Sequence, residues 1–358
     1  MNRKINVLIF EHTSSHSVLL YSQIQFLAKY GHSIHLWINR NSDTTDLKLA
    51  SITLINLAHS KFKIFYSLFR YLKTERIDVI IFNTAHGLFI RDLSILLLFS
   101  RVKAYGILHQ ADKVINSFTQ KIILLKIKHY YVLNDFVLEW LNRNCITEKI
   151  KFNSFYPIYF PEKFNTKKEP HKSIIFCIPG AIEPERKDYI FLIEYLNRFS
   201  SEMDARIKFK LLGDISSDGG KQLNKILIEN KVEKWFITFD SFLSNDRFFE
   251  ELINSDFVFP LIHPSGKYFK AFYETGISFA FSLAFGVKKP LLLHNQFRLN
   301  EEYKNVSVFY NEENLLSVFD SIVSDELLIG KLENSYRNIL KLKFEFQAKR
   351  YNEFLLST

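Results

Sequence analysis

Cysteine is scarce in this chain. Of its 358 residues only Cys145 and Cys177 are cysteines, and their separation matches no metal-ligand spacing. Disulfide frameworks need several cysteines, and structural zinc sites need closely spaced ones. We therefore expect a protein of a reducing compartment, the cytoplasm, without disulfides and without a metal site.

Long apolar runs are also missing. The run at Ile95–Phe99 is far shorter than the roughly 18 residues that a membrane-spanning helix requires. The first apolar run stops at Glu11, which is too early for a signal peptide. With 47% hydrophobic and 24% charged residues, the composition is that of a globular protein with a large core. We therefore expect no transmembrane segment and no cleaved leader.

Acidic residues are few in the first half of the chain. Residues 1–165 contain 21 Lys and Arg against 11 Asp and Glu, a net charge of +10, whereas the remainder has a net charge of −1. In residues 60–75 the basic side chains alternate with Phe, Tyr and Leu, which favours contact with an anionic lipid surface. The alternative is an ordinary solvated helix face over a core. No nucleic-acid recognition module is evident.

Apolar strand-like runs alternate with helical patterns along the whole chain. The opening is a βαβ unit, with strands at 5–10 and 33–38 and a helix between them, and this predicts a parallel sheet. The polar stretch 160–172 contains Pro161 and Pro170 and is the best linker candidate. The alternation then restarts. The pattern predicts an α/β protein with two Rossmann-like domains, 1–165 and 166–340, whose parallel sheets face each other across a cleft.

The stretch 271–295 is the most informative one. It predicts a helix at 277–285 that is apolar nearly all round and hence buried, followed by a stop at Gly286 and a strand at 290–294. Unpaired amides and the positive dipole end at a helix N-terminus form a site for an anion. Glu274 lies just before it and can accept hydrogen bonds from hydroxyls. We interpret this as a sugar-nucleotide site, with the diphosphate held by Thr275, Gly276, Ile277 and Ser278.

Several segments resemble one enzyme family. They are YGHSIHLWI, IDVIIFNTAH, AYGILHQAD, IPGAIEPERKDY, LLGD and the final helical segment FEFQAKRYNEFLL. Together these segments, spread over nearly the whole chain, resemble glycosyltransferases of the GT-B fold, most closely the retaining family 4. The resemblance implies that residues 341–358 form a C-terminal helix that returns to the first domain.

The resemblance assigns roles to several donor-side residues. The family carries two glutamates separated by seven residues, one for the donor sugar and one for the nucleotide ribose. Glu274 matches the first, and the second falls on Ser282, a shorter and uncharged residue. In the family an Arg and a Lys of the Gly-containing loop bind the diphosphate without a metal ion, which implies roles for Gly180, Arg186 and Lys187. Arg186 would bind the diphosphate from a position that is shifted along the loop relative to the family's arginine.

Histidines at strand ends are the other candidates. His109 follows a strand, and the matching family histidine approaches the donor sugar. His86 follows another strand, and the loop after the first strand carries three further acceptor-side candidates, His12, Ser14 and His16. Ligands of open α/β sheets bind at the carboxyl ends of strands. Each of these histidines is alternatively a structural loop residue. His263 and Lys267 are expected to line the donor pocket.

The sequence therefore predicts a metal-independent glycosyltransferase with Glu274 and His109 in catalysis. Its donor is a nucleotide-diphosphate sugar, it needs no cofactor, and its acceptor is a glycan or a polyprenyl-linked sugar of bacterial surface polysaccharide synthesis. It would lie in the cytoplasm, at most peripherally on the inner membrane face, and bind no nucleic acid. Two alternatives remain: a non-catalytic sugar-nucleotide or glycan-binding subunit, and a sugar-nucleotide epimerase of the same fold.

Overall fold

The structure is a computed structural model that describes residues 3–13, 16–55, 60–145, 149–164, 169 and 171–357. The chain divides into two compact units. The first comprises Met1–Phe160, Glu274–Ile277 and Lys341–Thr358, and the second comprises Pro161–Tyr273 and Ser278–Leu340. Part of the expected linker, residues 165–168 and 170, lies outside the described residues, as does the site candidate Ser14.

The first unit contains a parallel sheet of seven described strands in the order β3-β2-β1-β4-β5-β6-β7. The strands are β1 Asn6–Glu11, β2 Ser33–Asn39, β3 Ser51–Ile55, β4 Val79–Phe82, β5 Lys103–Ile107, β6 His129–Val132 and β7 Lys151–Ser154. The intervening helices are α1 Leu20–Lys29, α2 Lys61–Thr74, α3 Leu88–Leu97, α4 Lys113–Asn116, α5 Phe118–Ile123 and α6 Asp135–Asn144. Strands at the centre of this sheet are buried on both faces, which explains their continuous apolar runs.

The second unit repeats this design with a parallel sheet of six described strands in the order β10-β9-β8-β11-β12-β13. The strands are β8 Ile174–Ile178, β9 Ile207–Asp214, β10 Phe236–Phe239, β11 Phe257–Val258, β12 Leu291–His294 and β13 Ser307–Tyr310. Its helices are α7 Tyr189–Phe199, α8 Asp218–Glu229, α9 Asn245–Ile253, α10 Phe279–Val287, α11 Leu315–Ser324 and α12 Leu328–Ser335. The predicted α/β class with two parallel sheets is confirmed.

The C-terminal helix α13, Phe344–Leu356, completes the core of the first unit. Its Tyr351 is fully buried, and its ring stacks on that of Tyr131 with centroids 4.4 Å apart. The Tyr131 hydroxyl donates to the Tyr351 carbonyl oxygen at 2.7 Å, and the Tyr351 hydroxyl donates to Gln23 Oε1 at 3.0 Å. Because both hydroxyls are paired, these rings can be buried without leaving a polar group unsatisfied.

Helix α10 is buried, as its composition predicts, but its ends differ from the expected ones. It begins at Phe279, two residues late, because Ser278 has extended backbone angles and a turn of π-helix occupies Ala271–Thr275. It runs through Gly286 and ends where Lys288 adopts a left-handed conformation with φ of 57°. The predicted stop at Gly286 was therefore wrong.

Candidate functional site

A buried carboxylate organises the carboxyl edge of the first-unit sheet. Glu11 ends β1 and has no exposed surface. Its Oε1 accepts from the Thr13 amide at 2.7 Å and the Thr13 hydroxyl at 2.8 Å, and its Oε2 accepts from Asn83 Nδ2 at 2.8 Å and the Thr84 hydroxyl at 2.7 Å. A buried charge needs such partners to be tolerated. Glu11 thus joins the loops after β1 and β4, a role that the sequence analysis missed.

His109 lies beside this network. Its Nε2 donates to the Asn83 carbonyl oxygen at 2.8 Å, since a carbonyl oxygen can only accept. This fixes the tautomer and leaves Nδ1 as the acceptor. Burial, followed by the nearby His16, lowers the pKa of His109 to about 3. The residue is therefore neutral at neutral pH and can accept a hydrogen bond from a hydroxyl, but it is too weakly basic to hold a proton there.

The other candidate histidines gather around His109. The rings of His16 and His109 stack with centroids 3.7 Å apart. His12 stacks on Phe89 at 5.2 Å, and its Nδ1 is buried without a hydrogen-bond partner. Burial, followed by the neighbouring Lys113, His16 and His12, lowers the pKa of His86 to about 4. The structure thus brings four of the predicted acceptor-side and catalytic histidines to one sheet edge.

The segment containing Glu274 belongs to this same unit. The Thr275 carbonyl oxygen accepts from the Ala111 amide at 2.7 Å, and Gly276 forms an antiparallel bridge with Gln110. Residues 110 and 111 directly follow His109. The half-buried Glu274 is therefore attached to the loop that carries His109, although the sequence analysis placed residues 274–277 within the second domain.

The residues near helix α10 that were predicted to bind the diphosphate lie before its first turn or at its N-cap. Ser278 is the N-cap residue, but its side chain makes no capping hydrogen bond. Thr275, Gly276 and Ile277 precede the helix rather than forming its first turn. Ser282, the residue at the second glutamate position, lies within the helix and is 2% exposed.

The loop after β8 carries the predicted cationic pair. Gly180 has φ of 85°, a backbone conformation that favours glycine. Lys187 Nζ reaches back over this turn and donates to the Ala181 carbonyl oxygen at 2.6 Å. Burial lowers the pKa of Lys187 to about 8, an effect that Glu183 opposes and Arg186 reinforces. Arg186 pairs with Glu183 at 3.1 Å and lies over the Phe272 ring at 5.4 Å.

A cavity of about 460 Å³ adjoins this loop. Its lining combines residues 184–188 with residues 262, 263 and 265–269, so that Arg186 and Lys187 share it with His263 and Lys267. Lys267 lies 3.4 Å from Glu185. The second unit thus gathers the three predicted donor-side cations and His263 around one space.

His263 is held in place by a chain of hydrogen bonds. Its Nδ1 lies 2.8 Å from the Ser265 hydroxyl, and that hydroxyl donates to Asp188 Oδ2 at 2.6 Å. Asp188 also caps helix α7 by accepting from the Phe191 amide. The His263 ring stacks on Phe191 at 4.2 Å. Two further residues near His263, His294 and Glu312, were not singled out from the sequence.

Comparisons with known proteins identify the fold. No protein-family model and no curated protein sequence matches the chain. Solved structures do match. A glycosyltransferase from Rickettsia africae ESF-5 has a TM-score of 0.70 at 16% identity, with 100% of both chains covered. Anabaena HepE in complex with UDP and glucose has a TM-score of 0.70 at 12% identity, covering 99% of this chain and 100% of that one.

A UDP-GlcNAc 2-epimerase from Neisseria meningitidis, bound to UDP-GlcNAc, has a TM-score of 0.59 at 12% identity, with 99% and 100% coverage. At these identities the likeness concerns the fold alone. The chain has the GT-B fold that the sequence analysis predicted. Among the described residues, no helix combines the length and the apolar character needed to cross a bilayer.

Proposed function

We propose that this protein is a glycosyltransferase that moves a sugar from a nucleoside-diphosphate sugar to a hydroxyl acceptor. The observation that carries the proposal is the cavity of about 460 Å³ lined by Arg186 and Lys187, on a loop that follows a strand of a parallel sheet. Ligands of such sheets bind at the carboxyl ends of their strands. Uridine is the nucleoside we propose, since HepE was solved with UDP.

In this proposal the diphosphate binds to Arg186 and Lys187. Arginine offers a fork of donors and lysine a point charge, and together they offset the charge that develops on the leaving diphosphate. The amides around Ser278, which has no side-chain cap, add hydrogen bonds at the start of α10. With this positive charge supplied by the protein, no divalent cation is needed at the diphosphate.

Glu274 and His109 would act on the sugar and the acceptor. Glu274 would accept hydrogen bonds from sugar hydroxyls, and His109 would accept one through its unprotonated Nδ1. His109, with its pKa lowered to about 3, is unsuited to be a strong general base. This agrees with a retaining transfer, in which the leaving diphosphate itself can take the acceptor proton.

Calorimetry with UDP-, GDP- and CMP-sugars, followed by a turnover assay, tests the proposal. We expect Lys187→Ala and Glu274→Ala to lower activity by more than about tenfold, the usual range for a lost charged contact in the transition state. Lys225→Ala is the matched control, because Lys225 is exposed on α8 and pairs only loosely with Glu229 at 3.8 Å. Wild-type turnover in both site variants would reject the proposal.

The acceptor we propose is a glycan or a polyprenyl-linked sugar of bacterial surface polysaccharide synthesis, met at an anionic membrane surface. Support comes from α2, whose Phe62 and Tyr66 are 85% and 70% exposed among basic side chains. Such a mixture is typical of interfacial helices.

The double variant Phe62→Ser, Tyr66→Ser should sediment less with anionic liposomes at low salt than the wild type does. Phe242→Ser, a comparably exposed site in the second unit, is the control. Equal sedimentation of all variants would contradict membrane contact.

A second candidate function is favoured by Ser282, which is uncharged, buried and located where the family carries its second glutamate. The protein would then be a sugar-nucleotide epimerase or a non-catalytic binding subunit. Product formed from the donor without any acceptor would identify the epimerase. Binding of the donor without turnover would identify the subunit.

A further inference from the structure

Three side chains at the carboxyl edge of the second sheet form a compact cluster. His263 follows β11, His294 ends β12, and Glu312 lies two residues after β13. Glu312 Oε1 is 3.1 Å from His263 Nε2, and Glu312 Oε2 is 3.5 Å from His294 Nε2. Within the described ranges, this is the one group of three or more His, Cys, Asp or Glu whose potential ligand atoms lie close enough to share a metal ion, all within 4.8 Å.

The tautomer of His263 follows from its hydrogen bonds. The Ser265 hydroxyl has one hydrogen, and it donates this hydrogen to Asp188 Oδ2 at 2.6 Å. The hydroxyl oxygen must therefore accept from His263 Nδ1, 2.8 Å away. In the neutral ring this leaves a lone pair on Nε2, the nitrogen that faces Glu312.

That lone pair has no partner. His263 is 5% exposed, and its Nε2 is buried without a hydrogen bond. The Glu312 oxygen 3.1 Å away is an acceptor and cannot satisfy a lone pair. A buried nitrogen lone pair facing a carboxylate oxygen is unfavourable unless a cation lies between them.

We propose that His263 Nε2, His294 Nε2 and Glu312 bind a divalent transition-metal ion such as Zn²⁺. Tetrahedral zinc with bonds of about 2.0 Å places neighbouring ligand atoms about 3.3 Å apart. The two Glu312 oxygens lie at that range from the histidines, Oε1 3.1 Å from His263 Nε2 and Oε2 3.5 Å from His294 Nε2. The Asp188–Ser265–His263 chain matches the way that outer carboxylates orient metal-binding histidines. Such a site needs no cysteine, so the scarcity of cysteine does not exclude it.

The three ligands are not equivalent. The Gln296 amide donates to His294 Nδ1 at 3.3 Å, so neutral His294 carries its proton on Nε2. To bind a metal ion through Nε2 and remain neutral, the ring must carry this proton on Nδ1 instead. A protonated Nδ1 can no longer accept the hydrogen bond from the Gln296 amide. We therefore expect His294 to contribute less affinity than His263 or Glu312.

The proposed metal would hold three chain segments together. It would join the loop after β11 to the ends of β12 and β13 and fix His263, which lines the cavity beside Lys187. Metal binding at these residues is independent of the proposed transferase activity, since it is measured without donor or acceptor. Metal loading should therefore raise the thermal unfolding midpoint, since a ligand that binds only the folded state stabilises it.

The experiment titrates Zn²⁺ by calorimetry into full-length, tag-free protein that has been stripped with chelator, and repeats the titration with Co²⁺ by visible absorption. We expect one saturable equivalent, tetrahedral Co²⁺ bands and a Zn²⁺-dependent rise in the unfolding midpoint. Glu312→Gln, at a side chain that is 55% exposed, should weaken binding by at least about tenfold, as in metal sites that lose a ligand or its support. His294→Ala should weaken it less.

His86→Ala, from the histidine cluster of the first unit, is the matched control and should bind Zn²⁺ like the wild type. The metal-free unfolding midpoint of Glu312→Gln checks that this variant folds. The proposal is overturned if the wild type shows no saturable binding, if Glu312→Gln binds with unchanged affinity, or if binding is lost in His86→Ala instead.

Discussion

The charge of Lys187 should limit nucleotide binding at alkaline pH. Burial lowers the pKa of this ammonium from 10.5 to about 8, so its charge is lost in a range where other lysines keep theirs. If only the protonated form binds the diphosphate, UDP affinity at about pH 9 should be roughly tenfold lower than at about pH 7, or about 1.4 kcal/mol. The decline should continue by about tenfold per pH unit, because the bound diphosphate keeps Lys187 protonated in the complex.

Calorimetric titration of UDP between about pH 7 and about pH 9.5, at constant ionic strength, measures this effect. The second phosphate ionisation, near a pKa of about 6, is nearly complete over this range, and uracil N3–H loses its proton only toward the alkaline end, for the wild type and any variant alike. Lys187→Arg is the decisive comparison, since arginine remains protonated throughout. Its affinity should lack the decline that the wild type shows in excess of this shared effect. A flat profile for the wild type, or the same decline in Lys187→Arg, would refute the assignment of the diphosphate to Lys187.

Three further predictions concern stability. Tyr351→Ala removes a fully buried ring and should lower the free energy of unfolding by about 3–5 kcal/mol, whereas Tyr66→Ala, at a 70% exposed ring, should change the urea midpoint little. Gly106→Ala would place a Cβ 2.5 Å from that of Ala85 and should destabilise by about 1–3 kcal/mol or more, unlike Gly330→Ala, where the space is open. Folding lowers the pKa of His86 from 6.5 to about 4. As the pH falls from about 6.5 to about 4, the unfolded chain therefore binds a proton that the folded chain does not, and this residue alone should lower the free energy of unfolding by about 1.4 kcal/mol per pH unit. The urea midpoint of His86→Ala should depend less on pH in this range, and equal slopes for variant and wild type would contradict the lowered pKa.

The sequence predicted those features that depend on local pattern. The alternation of apolar strands and helices predicted both parallel sheets, and the apolar composition of α10 predicted its burial. No strand was predicted at β3 or β7, the two edges of the first sheet. Each has only one buried residue, Ile55 and Ser154 respectively, so the apolar signal of a central strand is missing there.

The features it missed depend on contacts between distant residues. Glu11 is an acidic residue after a strand and resembles any polar loop residue until Asn83 and Thr84, 72 and 73 positions away, surround its carboxylate. His294 and Glu312 acquire meaning only because β11, β12 and β13 are adjacent in the sheet. The start of α10 could not be located because Gly276 pairs with Gln110, which removes residues 275–277 from the helix.

The position of α13 constrains the order in which the protein can be assembled during synthesis. The first unit lacks the rings of Tyr351 and Phe354 until residues 344–356 have been translated, whereas the second unit precedes them in the chain. Helix α1 packs on the same face of the first sheet, but the part that α13 covers remains open while residues 161–340 emerge. A nascent chain at that stage would be a natural substrate for a chaperone that binds exposed aromatic surfaces.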